Sequence, residues 1–251
     1  YHIPTATVSA LYGSLEDGIG NLISRDTIVF DSTFNQQVKA MTMFAIDPLG
    51  PDIEIYARYG LIKRMDIGFA LANGVKVFDA RFQFLGSVGS LKDPSREKFN
   101  GSIGVQFSWQ EYKLPSFLGD LQSVLKYELK RKDLLIPLAF SHSFGLEEKY
   151  GAVSYGLAYG RSWITYDYHP NIVYELVSGY YQPISEVPRD ETGYGTYGCF
   201  GNIKLGYKYL YGLLGLALYY QDYGRYNLYK NIKEDFQGVT LVPNFGFQVS
   251  F

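Results

Sequence analysis

Apolar residues fall at every second position over most of this chain, and that period constrains its fold more than any other feature. In the last segment Val239, Leu241, Pro243, Phe245, Phe247, Val249 and Phe251 share one side, and Thr240, Val242, Asn244, Gly246, Gln248 and Ser250 share the other. Successive strand residues point to opposite faces, so the segment reads as a strand with one apolar face. Ile203, Leu205, Tyr207 and Tyr209 alternate with Asn202, Lys204, Gly206 and Lys208, and after a turn at Tyr211 and Gly212 the residues Leu214, Leu216, Leu218 and Tyr220 continue the pattern. The segments Ile53–Tyr59, Met65–Leu71, Phe78–Phe84, Ile103–Trp109 and Val153–Tyr159 behave alike. A spanning helix needs roughly 18–20 consecutive apolar residues. Neither apolar run offers that, because Leu134–Phe140 is broken by Pro137 and Leu210–Tyr220 contains Gly212 and Gly215.

Counting these segments predicts twelve strands, near 36–46, 53–61, 64–73, 76–87, 98–110, 121–130, 134–144, 150–166, 172–182, 197–209, 213–224 and 239–251, with ten and fourteen as alternatives. Short turns are expected at 62–63, 131–133 and 210–212, all on the rim that holds both termini. Long loops are expected at 112–120, 183–196 and 225–238 on the other rim. An even count with short turns at one rim and long loops at the other is what a bacterial outer-membrane barrel requires. The expected fold class is therefore all-β, an antiparallel up-and-down transmembrane β-barrel over 36–251.

The two faces differ in kind. One carries Ile, Leu, Val, Phe and Tyr; the other carries Gly, Ala, Ser, Asn and Gln, with the charges Glu54, Arg58, Asp66, Asp79, Arg81, Lys204 and Lys208. A soluble barrel would turn the second face to water, yet it holds few Lys and Glu for an exterior. Its small residues suit a crowded lumen, and the Tyr-rich strand ends suit aromatic girdles at the membrane interfaces. The charges are then expected to line the lumen. There are 23 basic and 25 acidic residues in 251, so no cationic surplus exists for nucleic acid.

The terminal Phe251, with Val249, Phe247 and Phe245 on its face, resembles the C-terminal signal that outer-membrane barrels present to the barrel-assembly machinery. The hairpin from Arg58 to Phe69 is similar to one recurring in outer-membrane barrels and in outer-membrane transporters for aromatic compounds. The resemblance covers about residues 36–251 and implies a Gram-negative outer membrane, contact with its lipid and lipopolysaccharide, and a secretory signal removed before Tyr1.

Residues 1–35 fit the strand rhythm poorly and are expected to form a lumen plug, a periplasmic extension or an extra strand. Enzymatic chemistry finds little support. Outer-membrane lipid hydrolases place a His and a Ser two residues apart on one face, whereas His142 is flanked by Ser141 and Ser143 on the opposite face, and position 144 is Phe. His142 then reads as an interfacial residue near the outer rim. His2, His169 and the single Cys199 make no metal-ligand set, and Cys199 is expected to pack as a small strand residue. The acidic residues of 183–191 read as solvated loop or lipopolysaccharide contacts. The expected function is passage of ions or small solutes, by a porin-like channel or transporter without cofactor, the long loops at 183–196 and 225–238 screening the mouth. The alternatives are a non-transporting scaffold or partner subunit with a plugged lumen and, last, a lipid-active enzyme.

Overall fold

The computed structural model describes residues 3–16, 28–29, 39–40, 42–44, 46–47, 53–72, 75–87, 98–112, 125–145, 150–170, 173–177, 180–183, 190–207, 209–229 and 232–249. In chain order the elements are β1 (Ile3–Pro4), α1 (Thr5–Glu16), β2 (Ile28–Val29), β3 (Glu54–Ile62), β4 (Met65–Ala72), β5 (Val75–Leu85), β6 (Phe99–Tyr112), β7 (Leu125–Phe144), β8 (Gly151–Pro170), β9 (Val173–Val177), β10 (Tyr180–Pro183), β11 (Asp190–Tyr207), β12 (Leu210–Tyr229) and β13 (Ile232–Val249). One antiparallel sheet of ten strands takes the order β1-β13-β12-β11-β8-β7-β6-β5-β4-β3, a meander in which each long strand pairs with the next. The strands β10, β9 and β2 form a separate small sheet. Among the described residues no helix is long and apolar enough to cross a membrane.

The sheet curls. Asp47 lies against Tyr223 of β12 and Thr240 of β13, and the carbonyl of the preceding Ile46 accepts a hydrogen bond from Arg131 of β7. Laid flat, β7 and β13 would stand about 19 Å apart, four inter-strand spacings. Three side chains leaving one face in parallel cannot bridge that gap to a single short segment, so the five strands wrap around it. The ring does not close, because β3 and β13 share no ladder. Nine long strands alternate in direction, so the first and last run the same way. The two-residue β1 pairs antiparallel with β13 at Ile3↔Leu241 and Pro4↔Thr240, which is the place and direction of a tenth strand.

Several expectations are corrected. The strand expected at 36–46 is helical at its described residues 39–40, 42–44 and 46, in a stretch where the good helix formers Gln36, Gln37, Lys39, Ala40, Met41, Met43 and Ala45 outnumber the β-branched Val38, Thr42 and Ile46. The segments 121–130 and 134–144 are one strand, β7, with no turn at 131–133. The segment 172–182 leaves the main sheet as β9 and β10. Most of 225–238 is not loop but the paired ends of β12 and β13, and 190–196 belongs to β11. The main sheet thus has ten strands rather than twelve. The separation of turns is also imperfect. Two-residue connections after β4 and β12 lie at the far rim, and the connection from β5 to β6 lies at the C-terminal rim. Of residues 1–35, Thr5–Glu16 is a helix rather than part of an extra strand.

The sidedness of the sheet is its most informative property. Leu214, Leu216 and Leu218 of β12 are exposed, as are Tyr155 and Leu157 of β8, Ile203 and Leu205 of β11, and Phe245 and Phe247 of β13. The opposite face buries Ala70, Ser108, Ala152, Ala158, Thr196 and Ala217. Toward the far rim the pattern inverts. There Leu129, Ile164, Tyr166, Tyr194, Tyr223, Tyr226 and Phe236 are buried on the inner face, while Lys130, Lys132, Arg161, Asp222, Arg225 and Asp235 are exposed on the outer one. One sheet is therefore apolar on its outer face over the half toward the C-terminal rim and conventionally sided over the half toward the far rim.

Candidate functional site

Two polar clusters sit on the inner face, and a single register row runs past both. Along that row Arg58 faces Gly68, Gly68 faces Asp79, and Asp79 faces Gln106. The row continues through Leu135, Gly160, Thr196 and Gln221.

The first cluster joins β3, β4 and β5. Arg58 forms ion pairs with Asp66 and Asp79 and donates to the Tyr56 hydroxyl. Arg81 completes it with Nη2 3.0 Å from Asp66 Oδ2. The strand period places these groups two residues apart on one face, and the short β3–β4 turn brings them onto neighbouring strands. Two guanidinium groups and two carboxylates balance. Their side chains are 13–48% exposed, Asp79 the least and Arg81 the most, so the cluster is closed around Asp79 and open at Arg81.

The second cluster is held by β6, β7, β8, β11, β12 and β13 around the segment 39–47. Arg131 donates through Nε to Asp133 Oδ1 at 2.6 Å and through Nη1 to the Ile46 carbonyl at 2.7 Å, and it stacks 5.4 Å over the Tyr194 ring. Asp133 also accepts from Ser162 at 2.5 Å and from Ser108 at 3.2 Å. Asp47 Oδ2 takes the Tyr223 hydroxyl and, at 3.2 Å, the Thr240 hydroxyl. Both hydroxyls also lie beside Gln221 Oε1, at 2.6 and 2.5 Å. From α1, Thr7 donates to the Asp47 backbone carbonyl at 2.7 Å. Rings surround the whole, with Tyr194–Tyr223 at 4.9 Å and Tyr166–Tyr226 at 5.6 Å. A buried charge is tolerated only when paired and hydrogen-bonded, and each charge here has at least two polar neighbours.

Of the charges expected in the lumen, Arg58, Asp66, Asp79 and Arg81 converge in the first cluster. Glu54 lies exposed on β3, Lys204 stands 4.9 Å over the Tyr211 ring away from both clusters, and Lys208 lies outside the described residues. Phe245, Phe247 and Val249 share the outer face of β13, with the two Phe rings 5.2 Å apart, and Phe251 lies outside the described residues. His142 is exposed and Ser143 buried on the other face, as alternation requires. Because β7 does not turn at 131–133, His142 sits toward the C-terminal rim rather than the outer one. Cys199 is exposed on the outer face instead of packed. His169 has no described side chain, and His2 lies outside the described residues. Among the described residues no three His, Cys, Asp or Glu side chains form a metal-ligand group.

The second cluster was missed by sequence reading. Its signal was a switch in apolar parity, from even positions 134–140 to the odd Leu129, across a stretch containing no turn-forming Gly or Asn. Comparison of the chain with protein-family models, with curated proteins and with solved structures returned no match.

Proposed function

We propose that this chain is an outer-membrane β-barrel that passes ions or small solutes, with the segment 39–47 acting as a plug. The reversal of sidedness along the strands carries the membrane part of this reading. The outward apolar stretch of β12, from Leu210 to Tyr220, spans about 34 Å along the strand and about 26 Å at a typical tilt, close to the ~25 Å apolar band of such barrels. Tyrosines mark both edges. Tyr159, Tyr197 and Tyr220 are outward on three adjacent strands, and Tyr150, Tyr207 and Tyr209 lie near the C-terminal rim. Amphipathic rings favour such interfaces. Water-soluble monomers rarely expose an apolar surface so large. β1, which pairs with β13 just before α1 begins at Thr5, occupies the place between β13 and β3 where a tenth strand would keep the count even.

The passage part rests on the contrast between the clusters. The Arg58 cluster is open at Arg81, which is 48% exposed, while Asp47, Tyr223 and Thr240 at the centre of the second cluster are buried against one short segment. Removal of that segment's polar anchor would widen the route along β3–β6. In planar bilayers, Asp47→Ala is expected to raise conductance or opening frequency several-fold over the full native chain. Arg58→Ala combined with Arg81→Ala is expected to shift selectivity toward cations, since Asp66 and Asp79 then stand uncompensated. Insertion is checked at Cys199, the only cysteine, whose outward thiol is expected to resist a water-soluble maleimide in bilayers and to react in denaturant. A protected thiol with silence from every variant would favour the scaffold reading, to which the closed Asp47 clamp lends its support. A freely reactive thiol in bilayers would remove the membrane reading itself.

A further inference from the structure

At the far edge of the outward apolar belt, four neighbouring strands carry cations and indoles in alternation. Lys76 of β5 lies opposite Trp109 of β6, Trp109 opposite Lys132 of β7, and Lys132 opposite Trp163 of β8. All four share the outer face with Phe78, Phe107, Leu134 and Tyr159. Lys76 Nζ stands 5.8 Å over the Trp109 ring, which stacks 5.5 Å from Phe78. Arg161 follows on the same face of β8, diagonal to Lys132. Neighbouring strands are about 4.8 Å apart, so Lys76 and Lys132 are separated by about 10 Å, and the diagonal pair by about 7–8 Å.

These cations differ from five others described in the molecule. Arg58, Arg81, Arg131 and Arg225 are bound to carboxylates, and Lys130, one row further out, lies 3.5 Å from Glu111. Lys76, Lys132 and Arg161 have no ion-pair partner among the described residues; the nearest outward carboxylates by register are Glu111, which is engaged by Lys130, and Asp222, two strands from Arg161 across Gly195. Apolar chains below, rings at the boundary and cations without an ion-pair partner above match an anionic amphiphile in three respects at once. The stems of Lys and Arg lie along acyl chains while their heads meet the polar layer.

We propose that Lys76, Trp109, Lys132, Arg161 and Trp163 form a binding site for the phosphate-bearing headgroup of a membrane lipid, seated on the outer wall at the edge of the belt. The proposal rests on the membrane reading above. The two rings flank the headgroup and anchor its depth. The three cations neutralise phosphate oxygens, and Arg161 can take two of them at once through its fork.

Trp109 and Trp163 are the only tryptophans in the chain, so its fluorescence reports on this row alone. The full chain is placed in phosphatidylcholine vesicles, and quenching by brominated phosphatidic acid is compared with quenching by brominated phosphatidylcholine. Each cation near a membrane surface adds on the order of a fivefold preference for an anionic lipid before screening. The expected result is roughly a tenfold preference for phosphatidic acid, falling to near unity when Lys76→Gln, Lys132→Gln and Arg161→Gln are combined. These positions are exposed, so the variant is expected to fold. Equal quenching by both lipids would overturn the site while leaving the membrane reading standing. A preference abolished by an equal concentration of inorganic phosphate would overturn the lipid assignment in favour of a free anion. Absence of quenching by either lipid would overturn the site, and Cys199 protection would then judge the membrane reading separately.

Discussion

Arg131→Leu is expected to cost about 3–5 kcal/mol of folding free energy, the range for removing one partner of a buried ion pair. The Arg131 side chain is 15% exposed and that of Asp133 is 21% exposed. Its loss leaves the carboxylate with only two serine hydroxyls, and it also strips the Ile46 carbonyl of its donor and the Tyr194 ring of its cation. An exposed pair such as Arg225–Asp235, with both side chains more than 60% exposed, is expected to lose far less on the same treatment, because water screens it. Urea unfolding of the barrel in vesicles reads the difference. Replacing Arg131 and Asp133 together by Leu is expected to recover much of the loss, because no orphaned charge remains. A cost below about 1 kcal/mol for Arg131→Leu alone would mean that water already reaches the cluster, and that the segment 39–47 does not seal it.

The same cluster shows where sequence reading succeeds and fails. Alternation assigned the faces of β4, β5, β6, β12 and β13 residue by residue, and four of the five charges it grouped from three strands meet around Arg58, Glu54 being the exception. That worked because period two is local information, and neighbouring strands of a meander follow one another in sequence. It failed where a second physical rule took over. Between Leu129 and Leu134 the apolar residues change parity, which read as a turn under the assumption that one face stays apolar throughout. The strand instead continues straight while its surroundings change. On the far side of that point the outer face carries Lys130 and Lys132, and the inner face packs on the segment 39–47. β12 makes the same change between Tyr220 and Tyr223, and there a register shift near Asp222 and Gly224 accompanies it. The Asp47 clamp could not be read at all. Asp47 and Tyr223 are 176 positions apart, and nothing local in either segment points to the other.

Leu216→Arg gives the sharpest test of which solvent surrounds the belt. Leu216 is 51% exposed on the outer face of β12, paired between Gly201 and Pro243 and near the middle of the Leu210–Tyr220 stretch. In water, arginine at such a position is close to neutral, since surface substitutions usually fall within about 0.5 kcal/mol, and it would improve solubility. In lipid, the same residue at the midplane costs about 2–4 kcal/mol, even after its long side chain bends toward the headgroups. The sign and the size therefore separate the two environments without reference to transport. The control is Asp222→Arg, the next outward position beyond Tyr220 on the same strand, where the cost is expected to fall below about 1 kcal/mol. Unfolding of both variants in vesicles, followed through the two tryptophans, measures the difference directly. A neutral Leu216→Arg beside a neutral Asp222→Arg would show that the exposed leucines face something other than acyl chains. A cost confined to position 216 would make depth along the strand the governing variable, because both variants introduce the same arginine on the same face.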